Sequence, residues 1–132
     1  MRNGIEQAIG EVEFTVTENM SASLEDLVKH PVYSTFWLAY HAEVAARKAI
    51  EPFFEDDEDA VGASLSLTHL GMAAIGAHVL VRAKVTSVDG RTIRCNVQAT
   101  TVKDHALLAE GTQDQVVLSK DSLMRKIEQA AL

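Results

Sequence analysis

Apolar and polar residues alternate along five stretches of this chain, and each stretch predicts a β-strand. The first, Glu11–Thr17, places its apolar residues on one face. Asp89-Gly90, between the third and fourth stretches, is a two-residue hairpin signal. One-sided alternation of this kind is typical of an antiparallel sheet with one solvated face. The other four predicted strands are Val61–His69, His78–Val88, Thr92–Val102 and Ala106–Leu118.

One stretch is apolar on almost every side, which is typical of a buried helix. It covers Phe36–Ala46 and extends to about Ile50, after which Pro52 ends it. Ser34 or Thr35 can cap its first turn. Capping signals also predict two shorter helical segments, one over Ser21–Asp26 that His30-Pro31 ends, and one capped by Ser119 or Asp121 with Leu123, Met124 and Ile127 on one side.

The predicted order is therefore one strand, one long helix and then four antiparallel strands. Strands and helices do not alternate, which argues against a parallel doubly wound sheet. The economical packing is an α+β domain whose antiparallel sheet of about five strands wraps around one long central helix, the hotdog fold. We expect residues 1–132 to form a single domain, because no linker, repeat or low-complexity segment divides them.

Two ionisable residues occupy positions that an ordinary core would give to apolar side chains. Glu43 lies within the apolar helix, where a carboxylate is costly unless another group pairs with it. His69 ends a predicted strand whose odd-numbered residues, from Val61 onward, share its face. We therefore expect a buried carboxylate and an inward-facing imidazole, which suggest an acid/base site. Two simpler interpretations stay open: Glu43 pairs with Arg47 one turn away, or His69 is a structural histidine.

Composition and charge narrow the classes of function. The net charge of −7 argues against a nucleic-acid partner, because phosphate binding needs a basic field. No stretch reaches the roughly 20 apolar residues of a membrane span, and the N-terminus does not resemble a signal peptide. The single cysteine, Cys95, excludes an internal disulfide and fits a reducing compartment, so we expect a cytoplasmic protein without membrane partners.

Two charged segments carry less information. Glu55–Asp59 is an acidic run without the spacing of a calcium site, so we interpret it as a solvated loop. A group of basic residues forms either a local anion site or, as we favour, a solvated strand face: Arg82, Lys84, Arg91, Arg94 and Lys103.

Thr35 is followed eight residues later by Glu43, and Gly62 is followed seven residues later by His69. Together with the segments Val88–Arg91 and Gly111–Val117, this spacing resembles that of the hotdog thioesterases close to fluoroacetyl-CoA thioesterase.

This resemblance implies an enzyme that hydrolyses a small or medium acyl-CoA thioester. It implies that Thr35, Glu43 and His69 form the catalytic set, and that a backbone amide at Gly62 helps to hold the thioester carbonyl. It also implies a homodimer with acyl-CoA sites between the protomers. We expect no metal and no cofactor, because the chain has no zinc-spaced ligand set and no glycine-rich phosphate loop.

The chain departs from the family's pattern in two places. The turn after the histidine, Leu70–Ile75, lacks the family's prolines, and Gln113 and Gln115 stand where histidine and arginine are common. Both changes fall where the acyl-CoA would be shaped or its phosphates contacted. They leave open a second function, a non-catalytic acyl-CoA binding or regulatory module on the same fold. A hotdog hydratase-dehydratase is disfavoured, since no Asp and His stand five residues apart on one segment.

Helix geometry restricts how the three side chains act together. Eight residues of unbroken helix rise about 12 Å, too far for a hydrogen bond between Thr35 and Glu43. We expect Thr35 at the mouth of the helix, where its hydroxyl contacts His69 or a nucleophilic water, although a plain helix cap is the alternative. His69 has the chemistry of a base near neutral pH. Glu43 can orient that imidazole or attack the thioester itself.

Overall fold

The structure, a computed structural model, describes all residues from 1 to 132. Its sheet has five antiparallel strands in the order β1-β5-β6-β7-β4, so β1 and β4 are the edge strands, while β2 and β3 form a separate hairpin. In chain order the elements are β1 (Ile9–Thr15), β2 (Ser21–Leu24), β3 (Val28–Tyr33), α1 (Thr35–Ile50), β4 (Glu58–His69), β5 (His78–Asp89), β6 (Thr92–Thr101), β7 (Leu107–Ser119) and α2 (Lys120–Gln129).

The long helix α1 packs against all five strands of the sheet. Small residues allow this close approach: a side-chain carbon at Gly10 of β1 would overlap the backbone of Ala45 and Ala49. The helix begins as predicted, because the Ser34 hydroxyl accepts a hydrogen bond from the backbone N–H of Trp37 at 3.1 Å. The predicted α+β hotdog fold, a five-stranded antiparallel sheet around one long helix, is confirmed.

The helical turn predicted over Ser21–Asp26 is wrong, because this segment forms the hairpin of β2 and β3. Glu25 and Asp26 make the turn, with φ angles of 46° and 63°. Serine and aspartate favour turns as readily as helix caps, so the capping signal did not discriminate between the two. Pro31 is tolerated because β3 lies in a two-stranded sheet, where one side of the strand needs no partner.

Strand β4 differs from its prediction in where it starts and in which of its side chains face the helix. It begins at Glu58, so two acidic residues that we assigned to a loop belong to the strand. Between Gly62 and Ser64 a β-bulge shifts the register against β7. Before the bulge, Ala60 and Gly62 face the helix, because their partners on β7 are buried. After the bulge, the odd-numbered residues from Leu65 to His69 face the helix instead. Val61 therefore does not share the face of His69.

The remaining elements follow the sequence pattern closely. The two-residue turn between β5 and β6 is Gly90-Arg91, one residue later than predicted. Ser119 caps α2 by accepting a hydrogen bond from the N–H of Ser122 at 3.0 Å, as the capping signal indicated.

Cys95 is buried within β6, and this burial raises the pKa of its thiol to about 11. No helix has both the length and the apolar character needed to cross a membrane.

Candidate active site

The first half of the candidate site is a contact between the start of α1 and the end of β4. Thr35 is the first helical residue, and because Ser34 already caps the helix, the Thr35 hydroxyl is free for another partner. That partner is His69, whose Nδ1 lies 2.9 Å from Oγ1 of Thr35. The expectation that Thr35 contacts His69 at the helix mouth is met, and the alternative of Thr35 as a plain cap is wrong.

The other ring nitrogen of His69 is left without a protein partner. Nε2 is buried and makes no hydrogen bond to another protein atom. Leaving a buried polar atom unpaired costs about 1–3 kcal/mol, so this nitrogen favours any ligand that can bond to it. The edge of the Tyr33 ring approaches the imidazole, with centroids 6.4 Å apart. The cleft beside the pair is lined in part by Gly71 and Met72.

The second half of the candidate site lies two turns further along α1. Here the Glu43 carboxylate stands directly over Gly62 of β4, so closely that a methyl group at Gly62 would overlap Oε1. Gln113 of β7 donates from Nε2 to the same oxygen at 3.2 Å. Glycine at position 62 thus makes room for the carboxylate, and one amide holds it there.

One expectation for Glu43, its burial, is wrong, and so is the alternative interpretation that it pairs with Arg47. Its side chain is exposed rather than buried, because it faces the edge strand β4 and nothing covers the helix beyond that edge. It does not pair with Arg47 either. Arg47 instead bonds to Asp59 and to the carbonyl of Ala60, and lies 3.6 Å from Glu51.

The sequence reasoning named Gln113 and Gln115 but missed their burial and their contact with Glu43. Both side chains are 2% exposed, which is rare for glutamine. Gln115 donates from Nε2 to Oε1 of Gln113 at 3.2 Å, and its own Oε1 is buried without a hydrogen-bond partner. The strand period gave a usable signal, since Gln113 and Gln115 share the face of buried Val117.

The two halves are separate within one chain. Thr35 and Glu43 are about 12 Å apart along the helix, and Gly62 and His69 are roughly 20 Å apart along the strand. The structure thus brings Thr35 to His69 and Glu43 to Gly62, but it does not bring the two pairs together.

An exposed apolar strip runs beside both halves. On α1, Phe36 is 70% exposed and Tyr40 is 56% exposed, and these residues follow the helical spacing that leads to Glu43. On β4, Leu65 lies on the face toward the helix and is also exposed, whereas Val61, likewise exposed, lies on the opposite face of the strand. Large exposed apolar residues on neighbouring elements are typical of an interaction surface.

Other polar groups near the site have structural roles. His41 is buried, stacks on Phe14 with centroids 3.9 Å apart, and lies with Nδ1 2.6 Å from the Tyr33 hydroxyl. Burial lowers the pKa of His41 and raises the pKa of Tyr33 above its usual range.

Three of the basic residues considered as an anion site have acidic partners on the sheet. Arg82 lies near Glu11, Arg91 lies near Glu58, and Arg94 contacts Asp114.

Comparisons with known proteins place this geometry in a family. The model of the family FlK, fluoroacetyl-CoA-specific thioesterase, matches residues 16–121. The fluoroacetyl-CoA thioesterase of Streptantibioticus cattleyicolor is 28% identical over 98 residues, which cover 74% of this chain and 69% of that protein.

Two solved structures share the fold over nearly the whole chain. A thioesterase superfamily member from Thermus thermophilus superposes with a TM-score of 0.88 at 33% identity, covering 98% of this chain and 96% of that one. A serine-for-threonine mutant of the thioesterase FlK, in complex with acetyl-CoA, superposes with a TM-score of 0.81 at 24% identity, covering 98% of each chain. With the family model matched across both halves of the candidate site, this chain belongs to the fluoroacetyl-CoA-specific thioesterase family and is an acyl-CoA thioesterase.

Proposed function

We propose that this protein hydrolyses a small or medium acyl-CoA thioester to the free acid and CoA, with Thr35, Glu43 and His69 as catalytic residues and Gly62 as the backbone donor to the carbonyl. The observation that carries the proposal is the pairing of Thr35 with His69, which leaves Nε2 of the imidazole buried and unbonded. The protein from Streptantibioticus cattleyicolor acts on fluoroacetyl-CoA, and a related structure holds acetyl-CoA, which supports a short acyl group.

In this mechanism Thr35 fixes the orientation of His69, and Nε2 accepts a proton from the attacking water. Water adds to the carbonyl carbon, and the oxyanion that forms accepts a hydrogen bond from the amide at Gly62. Collapse of this intermediate breaks the C–S bond, and the imidazolium returns the proton to the departing thiolate. Glu43 either orients the water or attacks the carbonyl first, forming an anhydride that water then cleaves. Both routes yield the same acid and CoA.

The separation of the two halves supports a homodimer in which each site draws on both protomers. The edge strand β4 has an unpaired side, and exposed edges readily pair with another chain. Antiparallel pairing of two β4 strands about a two-fold axis between Leu65 and Ser66 would set Gly62 of one protomer opposite His69 of its partner. Glu43 would then approach the Thr35–His69 pair of the other protomer. Such a dimer would also cover the exposed apolar strip.

The same proposal includes the domain organisation of the protein and its cellular compartment. Residues 1–132 act as one domain, supported by a continuous core that α1 shares with all five strands of the sheet. The lone cysteine is buried and forms no disulfide, which fits a reducing cytoplasm.

Release of free thiol from a panel of acyl-CoA esters, graded from two to about ten acyl carbons, tests the proposed function. We expect turnover to be fastest with the short esters. Glu43→Gln should fold and bind an acyl-CoA normally, yet lose at least about tenfold in turnover, the equivalent of one charge-assisted interaction. The matched control is Glu128→Gln, which changes an exposed glutamate of α2 and should leave turnover unchanged.

A loss far beyond a hundredfold in Glu43→Gln would assign the carboxylate as nucleophile or base, and near-normal turnover would end its catalytic role. The sequence left the binding-module alternative open because Gln113 and Gln115 are neutral; in the structure both side chains are buried beneath Glu43. Tight acyl-CoA binding without thiol release, across the whole panel, would establish that alternative instead.

A further inference from the structure

Two buried glutamines lie beneath the Glu43 carboxylate, on the face of β7 that points toward α1. We infer that Gln113 is a positioning residue that holds Glu43 in its working orientation, and that Gln115 holds Gln113. This inference rests on the proposed function, since it assigns to the amide pair a role in the hydrolysis that Glu43 supports. It goes beyond that function because it gives a purpose to two buried polar residues that the proposed mechanism does not itself use.

Hydrogen-bond chemistry gives the three side chains one consistent direction. An ionised carboxylate can only accept, so Gln113 must present its amide nitrogen to Glu43. The carbonyl oxygen of Gln113 then faces Gln115, which must present its own nitrogen in turn. The direction of each amide is thus set by the carboxylate, and the chain of bonds ends at Oε1 of Gln115, which is buried and has no partner. A packing role alone would be served as well by apolar residues, without an unpaired oxygen.

The amides are rigid, and the carboxylate by itself is not. Gln113 and Gln115 are each 2% exposed and lie on β7, which is paired on both sides. Glu43 is exposed, and the residue facing it on β4 is a glycine with no side chain to hold it. Gln113 is therefore the one side chain that bonds to the carboxylate.

A neutral donor also brings no positive charge next to the carboxylate. The charged side chains that share the groove with Glu43 are Arg47, Lys48 and Glu51 of α1, and Arg47 is occupied with Asp59. On the sheet side, Gly62 of β4 carries no charge, and Asp114 of β7 faces the other way, toward Arg94. An arginine at position 113 or 115 would compete for this carboxylate, whereas an amide orients it without forming an ion pair.

Gln113→Leu tests the inference, because leucine keeps the apolar volume of the side chain and removes both hydrogen-bonding groups. We expect kcat to fall by at least about tenfold while KM changes by less than about threefold, since the lost bond acts on the reacting group rather than on substrate binding. Gln115→Leu should give a smaller fall in kcat of the same kind. The matched control is Gln98→Leu on the solvated face of β6, which should leave both constants unchanged.

Crystal structures of the wild type and of Gln113→Leu supply a readout that does not depend on activity. We expect the Glu43 carboxylate to leave its position over Gly62, or to occupy several rotamers, once its donor is removed. An unmoved Glu43 in a variant with normal kcat would overturn the inference and leave the proposed function intact. If Gln113→Leu does not fold, Gln115→Leu decides by the same two measurements.

A wild type that hydrolyses no acyl-CoA would remove the proposed function. The positioning of Glu43 would then be judged by the crystal structures alone: a displaced carboxylate would support the holding role of Gln113, and an unchanged one would end it.

Discussion

At the scale of single residues, the chain contains two similar threonine–histidine contacts, and only one has the geometry of a site. Thr35 and His69 are 2.9 Å apart, and Thr15 and His78 are 2.8 Å apart, in each case between Oγ1 and Nδ1. Both threonines are exposed, but His78 is exposed whereas His69 is half-buried. Only in His69 is the other ring nitrogen buried and unbonded. Burial of that nitrogen, rather than the contact itself, distinguishes the candidate base.

His69→Ala should therefore lower kcat/KM by roughly 10²–10⁴-fold, the usual contribution of a positioned base. Because a general base must be unprotonated to accept a proton, the activity of the wild type should fall toward acidic pH. That acidic limb should be absent from the residual activity of His69→Ala. The control His78→Ala removes the exposed histidine and should retain the wild-type profile. A base other than His69 would be required if His69→Ala kept both its rate and its acidic limb.

Gly62→Ala probes the second half of the site with one added carbon. The new methyl group would overlap Oε1 of Glu43, the end of a flexible side chain that can swing aside. We expect the melting temperature to change little and kcat to fall about ten- to a hundredfold, because the carboxylate must leave its position. Ala63→Ser, which adds one atom at the next residue of β4, is the control. Unchanged kcat in Gly62→Ala would show that hydrolysis does not need Glu43 over this glycine.

At the scale of elements, the bulge in β4 decides which residues reach the site. Without it, strict alternation would put Gly62 and His69 on opposite faces of the strand, since they are seven residues apart. The extra residue at the bulge brings both to the face of α1. Alternation alone predicted the correct face for His69 and the wrong one for Val61, because nothing in the local pattern marks where the register shifts.

Just after the bulge, a network of side-chain hydrogen bonds joins three strands. Asp114 of β7 accepts two hydrogen bonds from Arg94 of β6, at 2.8 and 2.9 Å, and one from Ser64 of β4 at 3.1 Å. The hydrogen bonds from Arg94, aided by the one from Ser64, hold the pKa of Asp114 below its ordinary value. The ionised carboxylate thus ties the edge strand to the interior of the sheet.

Asp114→Asn should lower the melting temperature at neutral pH. A carboxyl group with a lowered pKa in the folded state stabilises the fold above its ordinary pKa of about 3.9, and this contribution is lost as pH falls through the lowered value. The difference in melting temperature between wild type and variant should consequently shrink below about pH 4. Asp104→Asn, in the exposed turn before β7, should show no such difference. A pH-independent difference for Asp114→Asn would mean that charge is not the stabilising feature.

At the scale of the whole molecule, the proposed dimer predicts that two inactive variants can complement each other in a mixed dimer. If each site combines Thr35 and His69 of one protomer with Glu43 and Gly62 of its partner, His69→Ala and Glu43→Gln homodimers are both impaired. A mixed dimer of the two variants retains one site with every residue intact. Refolding the variants together should therefore restore activity, up to half that of the wild type for each mixed dimer formed.

Light scattering at micromolar concentration should show a dimer for the wild type and for both variants. Mixing His69→Ala with His69→Ala carrying a different affinity tag is the control for subunit exchange, and it should restore nothing. If a verified mixed dimer recovers no activity, each catalytic set must lie within one chain. A monomeric wild type would end the shared-site proposal altogether.

By itself the sequence determined the class of the fold and most of the candidate chemistry. Strand alternation and one apolar helix are local properties of the chain, so they predicted five strands, the long helix and its start near Ser34. Family resemblance supplied the spacing of Thr35, Glu43, Gly62 and His69, and the family match bears out that resemblance.

Only the tertiary structure decided how these residues group. The exposure of Glu43 follows from the position of β4 at the sheet edge, and the pairing of that carboxylate with Gln113 joins residues 70 positions apart. The hairpin of β2 and β3 and the bulge in β4 likewise depend on partners distant in sequence. Edge position, register and long-range pairing are set by the packing of the whole sheet around α1, and a local pattern of residues carries none of that information.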